Sequence, residues 1–360
     1  MNLIIYILIN LLCIFIFNIT IIIENNYGKT KNFINILIRK KQNSNVSEKI
    51  KYNYNINAFY NKLSNKKEKI NIGICLIVKN TRLFIGDWLK YYKTLGVSKI
   101  IIGDNNNNDN DNEYEKIEPL IFDYLNENFV QIINLKSENQ TGRQDYFYII
   151  CYNLLRHYYD WIYFLDDDEF LTLSNKNLSL YSFHNLNIFK NCSCILPFWR
   201  FYDDGNILRL NSSIKPFYKY YKPLTKYTDK IIMKNFSHYK SLVKGNLIVD
   251  GFYVHFPKFK NEKKNFCCFT NGNIPESYVG YYNYYTFKNA YIKHFYYKGT
   301  YDFCFKFYKR GFADINKRQI NINSYFINNK ITLEKIKIFE KCLNISLNKE
   351  KLKILSKRYI

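Results

Sequence analysis

The sequence has no Cys-x-x-Cys pair, no zinc-finger spacing, no RNP-type aromatic pattern and no helix-turn-helix signature. The first absence argues against a structural zinc site. The others leave no motif support for a nucleic-acid-binding module. Acidic residues are scarce, with 30 Asp and Glu against 53 Lys and Arg, for a formal net charge of +23. A charge of that size can mark a nucleic-acid or anionic-membrane partner. Here the basic residues are not gathered into one arm but spread through a chain rich in Asn, Ile, Lys and Tyr almost everywhere. The charge therefore reads as a Lys-rich solvated surface, and no nucleic-acid partner is expected.

What is present supports a globular chain. Hydrophobic residues make up 47% of the 360, enough for one large domain with a core. Nine cysteines occur. Cys75 and Cys151 sit in apolar patterns and read as core filler. Cys192, Cys194, Cys267 and Cys268 are candidates for disulfides in a lumenal compartment, with the pairing open.

Residues 3–23 are almost wholly apolar and carry no charge. That length suits a bilayer-spanning helix. No A-x-A-like site follows, so an uncleaved anchor over 1–23 is expected, with the membrane as a partner. Lys29, Lys31, Arg39, Lys40 and Lys41 lie just after it. By the positive-inside rule they would keep the bulk of the chain in the cytoplasm. Sequons at Asn139, Asn211 and Asn235 are compatible with a lumenal placement instead. Residues 24–69 are polar and aperiodic, and read as a stem or linker.

From residue 70 the pattern becomes regular. Runs at 70–78, 97–103, 129–135 and 161–165 read as buried strands. Segments 82–95, 113–126 and 142–159 have helical spacing. Alternating strands and helices predict a parallel α/β sheet. Further on, 193–201 and 247–256 read as strands, 301–310 as a helix and 333–359 as a basic amphipathic helical tail that covers the core.

Ligands of such sheets bind at the carboxyl ends of the strands. Three polar groups fall there: Lys79-Asn80, Asp104-Asn105, and Asp166-Asp167-Asp168-Glu169 directly after an apolar strand. Adjacent carboxylates repel by about one to a few kcal/mol per pair when partly buried. A divalent cation removes that cost, and oxygen ligands suit Mn²⁺ or Mg²⁺. Asp-x-Asp places two carboxylates on one side of an extended segment, so both reach one metal or its bound diphosphate. Cations beside a departing diphosphate stabilise its charge. An attacking hydroxyl needs a general base, commonly a carboxylate; Asp203, Asp204 and Asp250 are candidates.

Three blocks together resemble glycosyltransferase family 92 and related family 2-like enzymes. They are 73–109 (GICLIVKNTRLFIGDWLKYYKTLGVSKIIIGDNNNND), 161–171 (WIYFLDDDEFL) with Gln144 ahead of it, and 294–314 (HFYYKGTYDFCFKFYKRGFAD). The resemblance runs in order over roughly residues 72–314. It implies a GT-A-like, Rossmann-type mixed sheet flanked by helices over 70–324, with a helical tail over 325–360. It implies a metal-dependent, inverting transfer of a hexose such as galactose from a nucleotide-sugar donor to a glycan or glycoprotein acceptor. Residue by residue, it implies Asp166 and Asp168 as the metal-binding pair with Glu169 in support. Lys79, Asn80 and Asp104 would line the nucleotide pocket, joined by Lys298 and Arg310 from the late block. His255 would be a metal or phosphate contact, or a structural histidine. Enzymes of this kind imply an ER or Golgi lumenal domain, against the charge rule above. The chain departs from the pattern at Thr81, Tyr92 and Gly299, where Glu, His and Ser are usual. Those departures motivate an alternative, a GT-A fold that binds but no longer catalyses. A nucleotidyltransferase would also use paired carboxylates.

Overall fold

The computed structural model describes residues 70–79, 84–105, 117–135, 143–209, 221–224, 238–262, 264–276, 284–305, 325 and 329–343, all in the unit Lys67–Ile360. The expected anchor and stem lie outside the described residues. Among the described residues no helix is long and apolar enough to cross a membrane.

Strand β1 (Ile72–Val78) leads through helix α1 (Ile85–Leu95) to β2 (Lys99–Asp104). A 3-10 turn and short helix α2 (Phe122–Asn126) precede β3 (Val130–Asn134), and α3 (Arg143–Leu155) returns to β4 (Trp161–Leu165). The first four strands stand in the order β3-β2-β1-β4, all parallel. Beyond β4 the sheet continues through β8 (Ser241–Lys244), β6 (Cys194–Leu196) and β11 (Cys267–Phe269). Strand β8 is antiparallel to both its neighbours, so the seven-stranded sheet is mixed.

The apolar runs are continuous because both faces of the sheet are covered. Ile72, Ile74, Leu76 and Val78 of β1 share one buried layer with Ile85, Trp88, Leu89 and Tyr92 of α1. Cys75 and Ile77 point the other way, to Phe147, Tyr148, Cys151 and Tyr152 of α3. Gly103 in β2 is required by that second layer, since a Cβ there would meet the Phe147 ring at 2.7 Å. Helix α1 stops at Gly96, whose φ of 102° suits glycine and whose N–H donates back to the Lys93 carbonyl.

Several expectations are corrected. The 193–201 run is two strands in different sheets: β6 ends at Leu196, and after Pro197 the chain starts β7 (Trp199–Phe201). Strand β7 joins β12 (Ala290–His294) and β5 (Glu169–Leu173) in a three-stranded sheet. The 247–256 run gives only β9 (Val249–Phe252), which forms a hairpin with β10 (Pro257–Phe259). Cys75 and Cys151 are not filler but a disulfide tying β1 to α3. Cys192 pairs with Cys268, and Cys304 of α5 (Thr300–Phe305) with Cys342 of α6 (Leu333–Leu343). Cys194 and Cys267 are buried and form no disulfide among the described residues. Ile336 and Phe339 of α6 are buried with Phe303 and Tyr325 in a separate apolar cluster.

Candidate active site

In the order β3-β2-β1-β4, the chain moves outward from β1 on one side and then returns to β1's other edge with β4. The reversal lies between β1 and β4, and the crevice outside their carboxyl ends is where open α/β sheets bind ligands. The sequence places Lys79 at the end of β1 and Asp166 at the end of β4. Asp104 closes β2, and the N–H of the next residue, Asn105, donates to the Val78 carbonyl at 2.9 Å. Asp104 is buried and Lys79 half-buried. Asn80 and Arg310 lie outside the described residues.

The acidic run is a turn, not the extended segment expected. The Glu169 N–H donates to the Asp166 carbonyl at 3.1 Å, and the Asp166 N–H to Glu169 Oε2 at 2.8 Å. Alternation across a strand therefore does not apply, and Asp166 and Asp168 engage different partners. Asp166 Oδ1 accepts from Gln144 Nε2 of α3 at 3.1 Å. Its Oδ2 accepts from Lys240 Nζ at 2.8 Å. Asp168 turns to His294 Nε2 and Lys298 Nζ, each at 3.5 Å. Lys298 also donates to Asp167 Oδ1 at 3.1 Å.

Helix α1 props this turn from below. The Glu169 carbonyl accepts from Trp88 Nε1 at 2.9 Å and from the Tyr92 hydroxyl at 3.0 Å, while that hydroxyl accepts from the Leu171 N–H at 2.8 Å. Tyr92 is thus a brace for the acidic turn. From above, the Phe295 N–H donates to the Asp168 carbonyl at 2.9 Å, tying β12 to the same turn.

Charge is tightly matched. Glu169 is fully buried, and burial foremost pushes its pKa well above the usual carboxylate range, against the pull of Lys240. Burial also opposes the charge on Lys240, but Asp166 and Glu169 outweigh it and hold the ammonium charged. The Asp166 side chain is 32% exposed, whereas that of Asp168 is 1%. Asp166 is therefore the carboxylate that meets solvent.

Oxygen ligands of this type suit a hard divalent cation. Asp167 Oδ2 and Glu169 Oε1 are buried oxygens without a hydrogen-bond partner, which fits a further cation at this turn. Among the described residues no three His, Cys, Asp or Glu side chains already converge on one point. His255 is not at a strand end; it lies between β9 and β10. Its Nδ1 pairs with the Tyr239 carbonyl at 2.8 Å, and its ring faces His238 and Trp199 rather than the carboxylates. Burial first, then Lys240, keeps it neutral.

The candidate bases separate clearly. Asp204 is buried; its Oδ2 takes Lys335 Nζ at 2.5 Å and the Tyr325 hydroxyl, and its Oδ1 takes the Asn206 N–H. Oδ2 ties the loop after β7 to Lys335 of α6, and Oδ1 holds the loop's own Asn206 N–H, so both oxygens are engaged in structural bonds. Asp250 is exposed on the β9–β10 hairpin. Asp203 Oδ1 accepts from the Gly205 and Lys222 N–H groups, and burial raises its pKa. Burial first, then the charges of Asp302, Asp204, Asp203 and Asp168, raises the pKa of Tyr221.

Lys240 is the residue that sequence reasoning missed. It precedes a short strand in a chain full of lysine, and only the pairing of β8 with β4 brings it to Asp166.

No family model and no curated protein matches the chain. Among solved structures, the crystal structure of S. aureus TarS matches over 76% of this chain and 43% of that one, at 10% identity and a TM-score of 0.30. This chain spans less than half of TarS, and so low a TM-score carries no argument.

Proposed function

We propose that the chain is a metal-dependent, inverting glycosyltransferase of GT-A type, akin to family 92, that moves a hexose from a nucleotide-sugar donor to a glycan. The observation that carries this reading is the position of the acidic turn. A solvent-facing carboxylate, Asp166, sits at the carboxyl end of β4 where the strand order reverses, with buried Lys240 on it and buried Lys298 on the next two acids of the turn. Lys79 and Asp104, at the neighbouring strand ends, complete a polar rim suited to a nucleotide. Asp166, Asp167 and Asp168 would hold Mn²⁺ or Mg²⁺, which when bound supplies positive charge opposite the departing diphosphate. Lys240 fixes the Asp166 carboxylate, and Lys298 offers a cation to the diphosphate. Asp203 is the base we favour of the three candidates. Its Oδ1 accepts from the Gly205 and Lys222 N–H groups, which fix the carboxylate, and burial raises its pKa, as suits a base.

Three disulfides favour an oxidising compartment. They support a lumenal catalytic domain behind the apolar segment 3–23, against the charge rule. The deciding experiment incubates the full-length chain with Mn²⁺ and a panel of sugar nucleotides. Release of a nucleoside diphosphate, abolished by Asp168→Asn, is expected. Release of pyrophosphate from a nucleoside triphosphate and sugar phosphate would mark a nucleotidyltransferase. No turnover, with nucleotide binding intact, would mark a fold that binds without catalysing.

A further inference from the structure

Lys298 is an unusual place for a lysine. Its side chain is 3% exposed, and its ammonium lies 3.1 Å from Asp167 Oδ1 and 3.5 Å from Asp168 Oδ2. The same ammonium stands 4.1 Å from the centre of the Phe84 ring, a cation–π contact that suits a cation held away from water. The backbone at Lys298 has a φ of 50°, in the left-handed region a non-glycine residue rarely occupies. Its N–H donates to the Phe295 carbonyl at 3.2 Å, and the Phe295 N–H donates to the Asp168 carbonyl at 2.9 Å. The loop after β12 is therefore stitched to the acidic turn, and it delivers one ammonium to two of its carboxylates.

We infer that Lys298 is a built-in counter-ion that occupies the metal-facing carboxylates of Asp167 and Asp168 and must leave them before a divalent cation can bind there. This rests on the proposed metal-dependent transferase reading and adds an order of events to it. A divalent ion on Asp167 Oδ1 and Asp168 Oδ2 would meet the ammonium already held by those two oxygens, and like charges in a buried site repel strongly. A diphosphate gives the ammonium another anion to bind. A donor's diphosphate would therefore draw Lys298 away and leave Asp167 Oδ1 and Asp168 Oδ2 open to the ion. Metal alone has to displace the lysine without that help, and binds weakly.

The test is binding of Mn²⁺ alone, without nucleotide, to the full-length protein, read from the loss of the free-ion paramagnetic resonance signal. Lys298→Gln removes the charge. It is expected to bind Mn²⁺ at least tenfold more tightly than the native chain. Lys298→Arg keeps the charge and should match the native affinity. Lys298→Met keeps the aliphatic stem against Phe84 and carries the same prediction as the glutamine variant should that one fail to fold. Equal or weaker Mn²⁺ binding in the folded neutral variants, with binding still lost in Asp168→Asn, overturns the counter-ion role while leaving the metal site standing. Absence of Mn²⁺ binding by every variant, with or without a nucleoside diphosphate, overturns the metal site and this inference with it.

Discussion

Replacing Lys240 with methionine isolates the charge that holds the acidic turn. The lysine is wholly buried, 2.8 Å from Asp166 and 3.7 Å from Glu169. Methionine preserves the apolar stem and removes the ammonium. Breaking a buried ion pair by removing one partner costs about 3–5 kcal/mol. Two features pull the value toward the lower end. The Asp166 side chain is 32% exposed, so water recovers part of its solvation. Burial raises the pKa of Glu169, so its carboxyl takes up a proton more readily once the ammonium is gone. The expected loss is about 3 kcal/mol. At roughly 2–4 °C per kcal/mol for a domain of this class, that is a fall in Tm on the order of 6–12 °C. Calorimetry on the full-length chain at neutral pH reads it directly. The double variant Lys240→Met/Glu169→Gln no longer buries an ionisable group without a partner, and should recover about 1–2 kcal/mol relative to additivity. A fall in Tm of less than about 2 °C in Lys240→Met, or strictly additive double-variant behaviour, would refute the claim that Lys240 neutralises the turn.

Two other predictions concern stability away from the site. The Cys75–Cys151 disulfide closes a span of 76 residues between β1 and α3. The chain-entropy relation gives about 4.5 kcal/mol for a loop of that size; Cys75→Ala/Cys151→Ala should lower Tm by roughly 9–18 °C, and an unchanged melting curve would show the bond is not formed. His184 is buried, stacked on Trp161 with ring centroids 4.2 Å apart, and its Nε2 pairs with the Tyr163 hydroxyl at 2.5 Å. Burial, then Lys244, pushes its pKa well below the usual value. The unfolded chain then binds a proton below about pH 6.5 that the folded chain refuses. Stability through this group is therefore full above that pH and falls by about 1.4 kcal/mol per unit below it. Denaturant titrations between pH 7 and 5 should show a shallower acid loss in His184→Phe than in the native chain. Parallel pH profiles would contradict the assignment.

Strands β1, β2 and β4 and helices α1 and α3 were legible because each is a long apolar run or carries apolar residues at helical spacing; β3 is only partly buried, and of the expected 113–126 helix the described residues form a 3-10 turn and the short α2. The position of the acidic run was legible for the same reason, as four acids ending such a strand can only lie at the sheet's carboxyl edge. Its shape was not. Nothing in Asp-Asp-Asp-Glu distinguishes an extended pair from a turn closed by its own fourth residue, and the closing bonds come from Glu169. Strand β5 was hidden because it follows that turn at once and pairs with β12 more than a hundred residues later. The 193–201 run read as one strand because its apolar pattern continues through Pro197, where the chain changes sheets. Lys240 and Lys335 looked like any other lysine until long-range pairing buried them beside Asp166 and Asp204. Asp204 illustrates the converse, since its carboxylate read as a candidate base in sequence and in the structure binds Lys335 of α6 and the Asn206 N–H.

The central claim is that the acidic turn at the end of β4 binds a nucleotide through a divalent ion. Isothermal titration of nucleoside diphosphates into the full-length chain, with and without Mn²⁺, tests it most directly when repeated on Asp166→Asn/Asp168→Asn. The account predicts one nucleotide bound only with Mn²⁺, and a loss of affinity on the order of a hundredfold in the double variant, as expected when two charged contacts of about 1.5 kcal/mol each are removed. Binding that ignores Mn²⁺ and survives the double substitution, or no binding of any nucleotide by the folded native chain, would contradict it.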